Sequence, residues 1–515
     1  MLQKLNFKPG FNKQATDSGA EGQWVDGDFV RFRYGLPEKI GGWKQLTEAQ
    51  ETLPGAARAQ HAFTSFKGEK YVAIGTSQGL FLYYEGAFYD ISPLATAITG
   101  ATFDTFSSQN NVTVNKVGHG LEKGRYVTFS SVTPPTGYVA SDFTTGAFEV
   151  LTVPNSDTFT IQMRVNATGA ASASGSASIN PYTVVGPTFQ TAGYGWGTYQ
   201  WNTGTWGTAR TVSNVILDPG NWSLDNFGEV LVATIRGGKT FTWDAGASNP
   251  RTIRASTTTT NFNTTNNPTA SRLTLVSDRD RHLFHFGTET TIGTPATQDP
   301  MFVRFSNQED LNTYAPTATN TAGTFRLDTG NKIVAAIQGK DYVFCITDQA
   351  AYVIQFVGPP FTFSVRQVGT NCGCIGQHAV SYANGAVWWM SAEGGFFVFD
   401  GTVKSLPCLV EDFVFSTDGT NLGINYGASD IVYSSPNALF TEINWFYPKS
   451  GSKQIDRCVT YNYSENVFTT SSVDRSSYQD QGVYSLPYAT DYDSTALPVF
   501  SAISGITSKY GASIY

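Results

Sequence analysis

Two stretches of this chain spell the same plan in different residues, and that repetition constrains the fold more than any other feature. KIVAAI, starting at Lys332, runs into a polar turn at Gly339-Lys340-Asp341. YVFCI follows, then a turn at Thr347-Asp348-Gln349 and AYVIQFVG ending at Gly358. The second copy is HAVSY, a turn at Ala383-Asn384-Gly385, AVWWM, a turn at Ser391-Ala392-Glu393-Gly394, and FFVFDG ending at Gly401. Gly339 and Gly385 lie 46 residues apart, and the exit glycines follow them by 19 and 16 residues. A period of that size is the size of a propeller blade.

Each run holds five to eight apolar, aromatic or β-branched residues bounded by Gly, Asn or Asp, which is the pattern of strands and tight turns. A small antiparallel sheet of this kind cannot cover its own faces. Copies must pack on one another, and radial repetition also leaves only short, protected edges. The chain is therefore expected to be all-β, with a β-propeller-like body whose blade number the sequence leaves open.

Composition agrees with this expectation. The 515 residues include 36 Phe, 25 Tyr, 10 Trp and 51 Gly, while charged residues make up only 14%, against roughly 25% in an average soluble domain. So little charge suggests a surface partly covered by neighbouring subunits. The net charge of -8 argues against a protein that grips nucleic acid by its phosphates, though DNA could still slide past it. No apolar run approaches the roughly 18 residues of a membrane span, and MLQKLNFKPG lacks the apolar core of a signal peptide. Synthesis and folding in a cytoplasm follow as an expectation.

Weaker copies of the blade pattern occur at residues 61–91, 227–246, 273–286 and 439–470. Residues 58–99 are read as the first blade and 181–470 as the remainder of the body. Residues 1–57 form an amino-terminal arm punctuated by glycines, in which Phe29-Val30-Arg31-Phe32-Arg33 alternates as a half-buried strand does. Residues 100–180 break the rhythm with short strands and read as an inserted small β-barrel module, with ATGAASASGSAS from Ala167 as a flexible return. Residues 471–515, rich in Ser, Tyr and Asp, are read as a carboxy-terminal extension.

Trp196, Trp201 and Trp206 recur every five residues in GYGWGTYQWNTGTWGTAR. They are expected to pin an extended loop to the body or to a neighbouring subunit, since Trp is enriched at interfaces; the other reading is stacking on sugars or nucleobases.

The arm also carries a resemblance. Gly22-Gln23-Trp24 through Asp28, Val30-Arg31-Phe32-Arg33, Pro37-Glu38 and Ile40-Gly41-Gly42-Trp43 resemble the amino-terminal region of tail nozzle proteins (tail tubular or packaged-DNA stabilisation proteins) of short-tailed, podovirus-like bacteriophages. The similarity covers the arm and first blade and reappears in the Gly/Trp segment. The inserted module resembles a small β-barrel that phage proteins share with a non-catalytic half-domain of ubiquitin-activating enzymes.

What the family resemblance implies is a structural virion protein in the phage tail, six copies forming a ring below the portal and adaptor proteins. Tail fibres or spikes are further partners, and genomic DNA passes through the channel without sequence-specific binding. Trp24, Arg31, Arg33, Trp43, Trp196, Trp201 and Trp206 are the expected interface residues, with the arm around Arg31 and Arg33 docking on the adaptor. Such proteins continue past SKYGASIY, so a shortened or processed form is expected. The alternatives are a receptor- or glycan-binding tail protein, able in one form to depolymerise the glycan, and an unrelated propeller serving as a docking platform.

Motifs of catalysis fail on context. Gly75-Thr76-Ser77-Gln78-Gly79 fits the nucleophile-elbow pattern, but an aromatic strand follows it where a helix is required. Gly238-Lys239-Thr240 ends like a phosphate-binding loop, yet its first glycine position is Ala233 and a strand follows. The five histidines, at 61, 119, 282, 285 and 378, show no ligand spacing, and His282 and His285 are placed on opposite faces of a strand. Asp278-Arg279-Asp280-Arg281 reads as a salt-bridged turn. Five cysteines, an odd number, read as structural residues rather than a disulfide or zinc framework. Paired carboxylates brought together by the fold remain open to a glycosidase. The expectation is no enzyme, cofactor or metal.

Overall fold

The computed structural model describes residues 7–16, 18–42, 44–45, 53–190, 218–258, 262, 266–418, 421–491 and 504–505. Among the described residues, six antiparallel sheets of three or four consecutive strands follow one another along the chain as blades. Blade 1 is Ala57–Thr64, Lys70–Thr76, Leu80–Tyr84 and Ala87–Asp90. Blade 2 has three strands, Trp222–Phe227, Val230–Ile235 and Thr240–Asp244. Blade 3 spans Leu273–Val276 to Gly323–Arg326, blade 4 Ile333–Gln338 to Thr362–Thr370, blade 5 Val380–Ala383 to Val403–Ser405, and blade 6 Tyr433–Asn437 to Val467–Ser471. The first strand of each packs beside the first strand of the next. A seventh sheet fills the gap between blades 6 and 1. Its inner strand, Arg475–Gln479, lies between Tyr433–Asn437 and Ala57–Thr64, and its outer strands are Tyr488–Asp491, Ser504–Gly505 and Lys44–Gln45.

Aromatic residues that alternate along the strands meet across the seams between blades. Trp243 of blade 2 packs edge-on against Tyr71 of blade 1 at 5.3 Å between centroids, and Phe363 of blade 4 against Phe284 of blade 3 at 4.8 Å. Phe344 meets Phe399 across blades 4 and 5 at 4.9 Å, and Phe396 meets Trp445 across blades 5 and 6 at 4.7 Å. Tyr478 and Tyr488 of the seventh sheet reach Phe446 and Tyr83. Such edge-to-face, tilted and stacked pairs each add about 0.5–1.5 kcal/mol beyond the area they bury, so every seam they occupy is held by shape as well as by apolar area. At the seam of blades 1 and 2, Gly75 leaves the room that Trp222 fills. A Cβ there would stand 2.6 Å from the indole ring, whose Nε1 donates to the Thr76 carbonyl at 2.8 Å.

The elbow-like stretch has a plain structural role. Thr76 Oγ1 accepts from the main-chain N–H groups of Gln78 and Gly79, closing a tight turn between two strands. Thr347 does the same for Gln349 and Ala350 in blade 4. The hydroxyl offers the turning backbone an acceptor that the ladder cannot supply, which is why the pattern recurs from blade to blade. Ser77 is buried, and its Oγ accepts from the Ala56 N–H.

Three expectations need correction. Residues 171–181 are not a flexible return: Ala171–Pro181 is the longest strand of the inserted module, paired on both sides within a seven-stranded sheet. Its Ala/Ser run is partly or fully exposed along its first half and lacks the apolar alternation of a buried strand, which is why it reads as a linker. The region after residue 470 is not simply an extension, because Arg475–Gln479 belongs to the ring. The arm is not free to dock through Arg31, as its partner is within the chain. The module itself keeps its own core around Phe103, Phe143 and Phe159 and is tied to blade 1 by Asp90, which accepts from Tyr182 Oη and from Arg254 Nη2 at 2.7 Å.

Candidate functional site

The first strands of the blades line the propeller axis, and the chain just ahead of blade 5 crosses it. Gln377 Nε2 donates to Ser223 Oγ at 2.9 Å, and His378 Nε2 lies 2.8 Å from the Trp222 carbonyl and 3.1 Å from Asn221 Oδ1. Both partners of that nitrogen are acceptors, so it carries the proton and donates. Blades 2 and 5 stand on opposite sides of the ring, and these bonds form a plug between them. Two cavities result, one on either side.

The larger, about 380 Å³, is lined by inner-strand residues of blades 1, 2, 4, 5, 6 and the seventh sheet, Gln60, Gln338, Ser381, Tyr382, Ser434 and Tyr478 among them. Its groups are mostly neutral. Ser381 and Ser434 share a hydrogen bond at 2.7 Å, and Gln60 Nε2 donates to Ser477 Oγ at 2.9 Å. The smaller, about 170 Å³, is lined by Arg236, Arg272, Lys332, Asp348, Gln377 and Asp430, with Leu273 and Val334 as apolar wall. The His378 Nε2 donor is turned to a carbonyl and a side-chain amide oxygen, an arrangement that braces the crossing segment against blade 2. Among the described residues no group of three or more His, Cys, Asp or Glu side chains could hold a metal ion.

Burial pushes the proton affinity of His378 down from 6.5 to about 4, of His282 to about 4 and of His285 to about 3. His282 sits among the rings of Phe305, Phe356 and Phe363, and His285 between Ser271 Oγ at 2.9 Å and Tyr314 Oη at 3.1 Å. The two rings have different partners and do not converge. All three fold as neutral imidazoles, whereas the unfolded chain binds protons near pH 6.5. Their contribution is therefore complete above that pH and lost as pH falls towards 4. Each ring shifted by a unit or more costs at least about tenfold in the folding constant once titrated. Urea unfolding between pH 7 and 4 is expected to show this loss, with a shallower pH slope in His285→Gln; an unchanged slope would contradict it.

Of the sequence-derived interface residues, Arg31 is buried and bonds Glu442 of blade 6 through Nε at 3.0 Å and Nη2 at 3.2 Å. Asn437 Nδ2 donates to the same carboxylate, and the Arg31 guanidinium lies 3.4 Å from the centroid of the Phe440 ring. Burial still raises the Glu442 carboxyl to about 7. Trp24 is half-buried between Phe7 and Phe32. Arg33 is half-buried, 5.3 Å from the Tyr34 ring centroid. Trp43, Trp196, Trp201 and Trp206 lie outside the described residues. The acidic-basic run at 278–281 pairs outward rather than within itself, Arg279 with Asp341 and Arg281 with Glu309. All five cysteines are buried and free. No signal in the sequence pointed to Glu442, an isolated acid in an apolar run.

No family model matches the chain. Nor does any curated protein match its sequence. Among solved structures, it is similar to the computationally designed Ika8 protein, 9% identical over 90% of this chain and 99% of that one, with a TM-score of 0.36. YCF48 bound to D1 peptide is 7% identical over 80% and 95%, with a TM-score of 0.32. The endosialidase of phage phi92 is 14% identical over 69% and 55%, with a TM-score of 0.21. Likenesses this distant carry no activity, ligand or partner across.

Proposed function

We propose that this chain is a structural protein of a short-tailed phage tail, several copies of which form a nozzle around the DNA exit path. The observation that carries the reading is the arm. The segment with the family resemblance lies against blade 6, held by the Arg31 and Glu442 pair, and the turn of its hairpin, formed by the paired strands Val30–Arg33 and Leu36–Lys39, leaves Tyr34 83% and Leu36 69% exposed. Two large apolar side chains side by side on a firmly held turn suit contact with another molecule better than contact with water. The plug of Gln377 and His378 supports the same picture, since DNA would then pass between copies and not along a propeller axis. The sparse charge and acidic balance suit a wall with few phosphate contacts.

Electron microscopy and mass measurement of the purified protein are expected to show closed rings, six copies by the family resemblance. Tyr34→Asp with Leu36→Asp should disperse them while leaving the unfolding curve within about 0.5 kcal/mol of the parent, as surface changes usually do. A monomer with hydrolytic activity on cell-surface polysaccharide would instead favour a glycan-binding tail protein, a reading supported by the neutral amide, hydroxyl and tyrosine lining of the larger axial cavity.

A further inference from the structure

We propose that the smaller axial cavity binds a small oxyanion, a phosphate or a carboxylate, through Arg272 with help from Lys332. The inference does not depend on how copies of the chain assemble.

Arg272 stands directly ahead of the inner strand of blade 3, its main-chain N–H donating to the Phe286 carbonyl at 2.9 Å. Its stem runs past Gly287, where a Cβ would fall 2.7 Å from both Cγ and Cδ. Gly287 has φ +58, a conformation most other residues avoid, so the backbone and the missing side chain together make the channel for the stem. Beyond it, Nε donates to the Ile333 carbonyl at 3.0 Å. Stem and Nε are thus both fixed, and the two terminal nitrogens remain as a planar fork on the cavity wall, the geometry that matches two oxygens of a carboxylate or phosphate.

The charges around the cavity are unequally committed. Asp430 receives Arg236 Nη1 at 2.8 Å, and Arg236 Nη2 is taken by the Pro219 carbonyl at 3.2 Å and Asp218 at 3.5 Å. Asp348 accepts from the Asn331 main chain at 2.8 Å, its Nδ2 at 2.9 Å and the Lys332 N–H at 3.4 Å. Both carboxylates therefore already serve the chain's own donors. Arg272 and Lys332, among the described residues, have no carboxylate partner. Burial and the neighbouring Arg236 charge lower the proton affinity of Arg272, and only partly do Asp430, Asp218 and Asp348 oppose them. An anion beside Arg272 and Lys332 offsets that repulsion and occupies the fork.

The test titrates the full chain with inorganic phosphate and, separately, with malonate, at ionic strength held constant with chloride, and reads heat of binding. Saturable one-site binding is expected. Arg272→Gln should weaken it about tenfold or more and Lys332→Gln severalfold, as the loss of charge-assisted bonds implies, while Arg326→Gln, on the far outer strand of blade 3, should change nothing. Preference for one probe over the other identifies the oxyanion. No saturable binding of either probe, or equal affinity in a folded Arg272→Gln, overturns the proposal. If Arg272→Gln does not fold, the exposed Lys332→Gln decides alone, with unchanged affinity counting against it.

Discussion

Replacing Arg31 by alanine is expected to cost about 3–5 kcal/mol in the docking of the arm and the stability of blade 6, the usual result of removing one partner of a buried ion pair. Glu442 is 2% exposed and Arg31 5%. Without the guanidinium, the carboxylate would keep only Asn437 Nδ2 as a donor and would either remain charged in an apolar setting or take up a proton. Its proton affinity, about 7 even beside Arg31 and 4.5 in the unfolded chain, would rise further. A carboxyl shifted upward on folding weakens stability as pH rises above its unfolded value, so the deficit should be largest near pH 8 and shrink towards pH 4.5. Urea unfolding at pH 8 and 5, with protease cleavage within residues 7–42, measures both parts. Arg31→Met combined with Glu442→Leu should recover most of the loss, because no charge is left stranded. A single-variant deficit under about 1 kcal/mol, or a double variant no better than the single, would show that the pair contributes little.

The second large effect is expected at the seam of blades 1 and 2. Trp222 is fully buried, its ring lies over Gly75, and its main-chain carbonyl receives His378 across the axis. Trp222→Ala should cost about 3–5 kcal/mol through the cavity it leaves. Gly75→Ala alone should also destabilise strongly, because the new methyl would overlap the indole. Made together, the two changes should cost clearly less than their sum, the methyl occupying part of the vacated space, and the difference is a coupling of about 0.5–3 kcal/mol. Additive losses in denaturant unfolding would mean that ring and glycine do not meet as described.

Both tests concern contacts that the sequence showed only in part. The strand Ala386–Met390 coincides with the run AVWWM, and the neighbouring runs of blades 4 and 5 match their strands within two residues, since apolar content and Gly or Asn turns determine such segments locally. Thr362–Thr370 and Val403–Ser405, the outermost strands of the same blades, are not legible in the sequence: one side of an outer strand faces solvent, so a polar segment such as TFSVRQ replaces the apolar run that marks a strand. The same local polarity disguised Ala171–Pro181 as a linker. At the axis, legibility failed for a different reason. Arg272, Lys332, Gln377 and Asp430 come from four separate segments and are brought together by ring closure, which no local pattern records. Arg31 is expected from the sequence to face another protein, whereas its partner, Glu442, lies 411 residues away in the same chain, a pairing that no local pattern records.

The seventh sheet pairs Lys44–Gln45 with Ser504–Gly505, so the ring is closed by strands from well before blade 1 and well after blade 6. Until that sheet docks, Tyr83 and Phe446 stay wet at the two flanks of an open crescent. Closure is therefore a nonlocal step, and a copy in which it has not happened presents apolar surface to its neighbours.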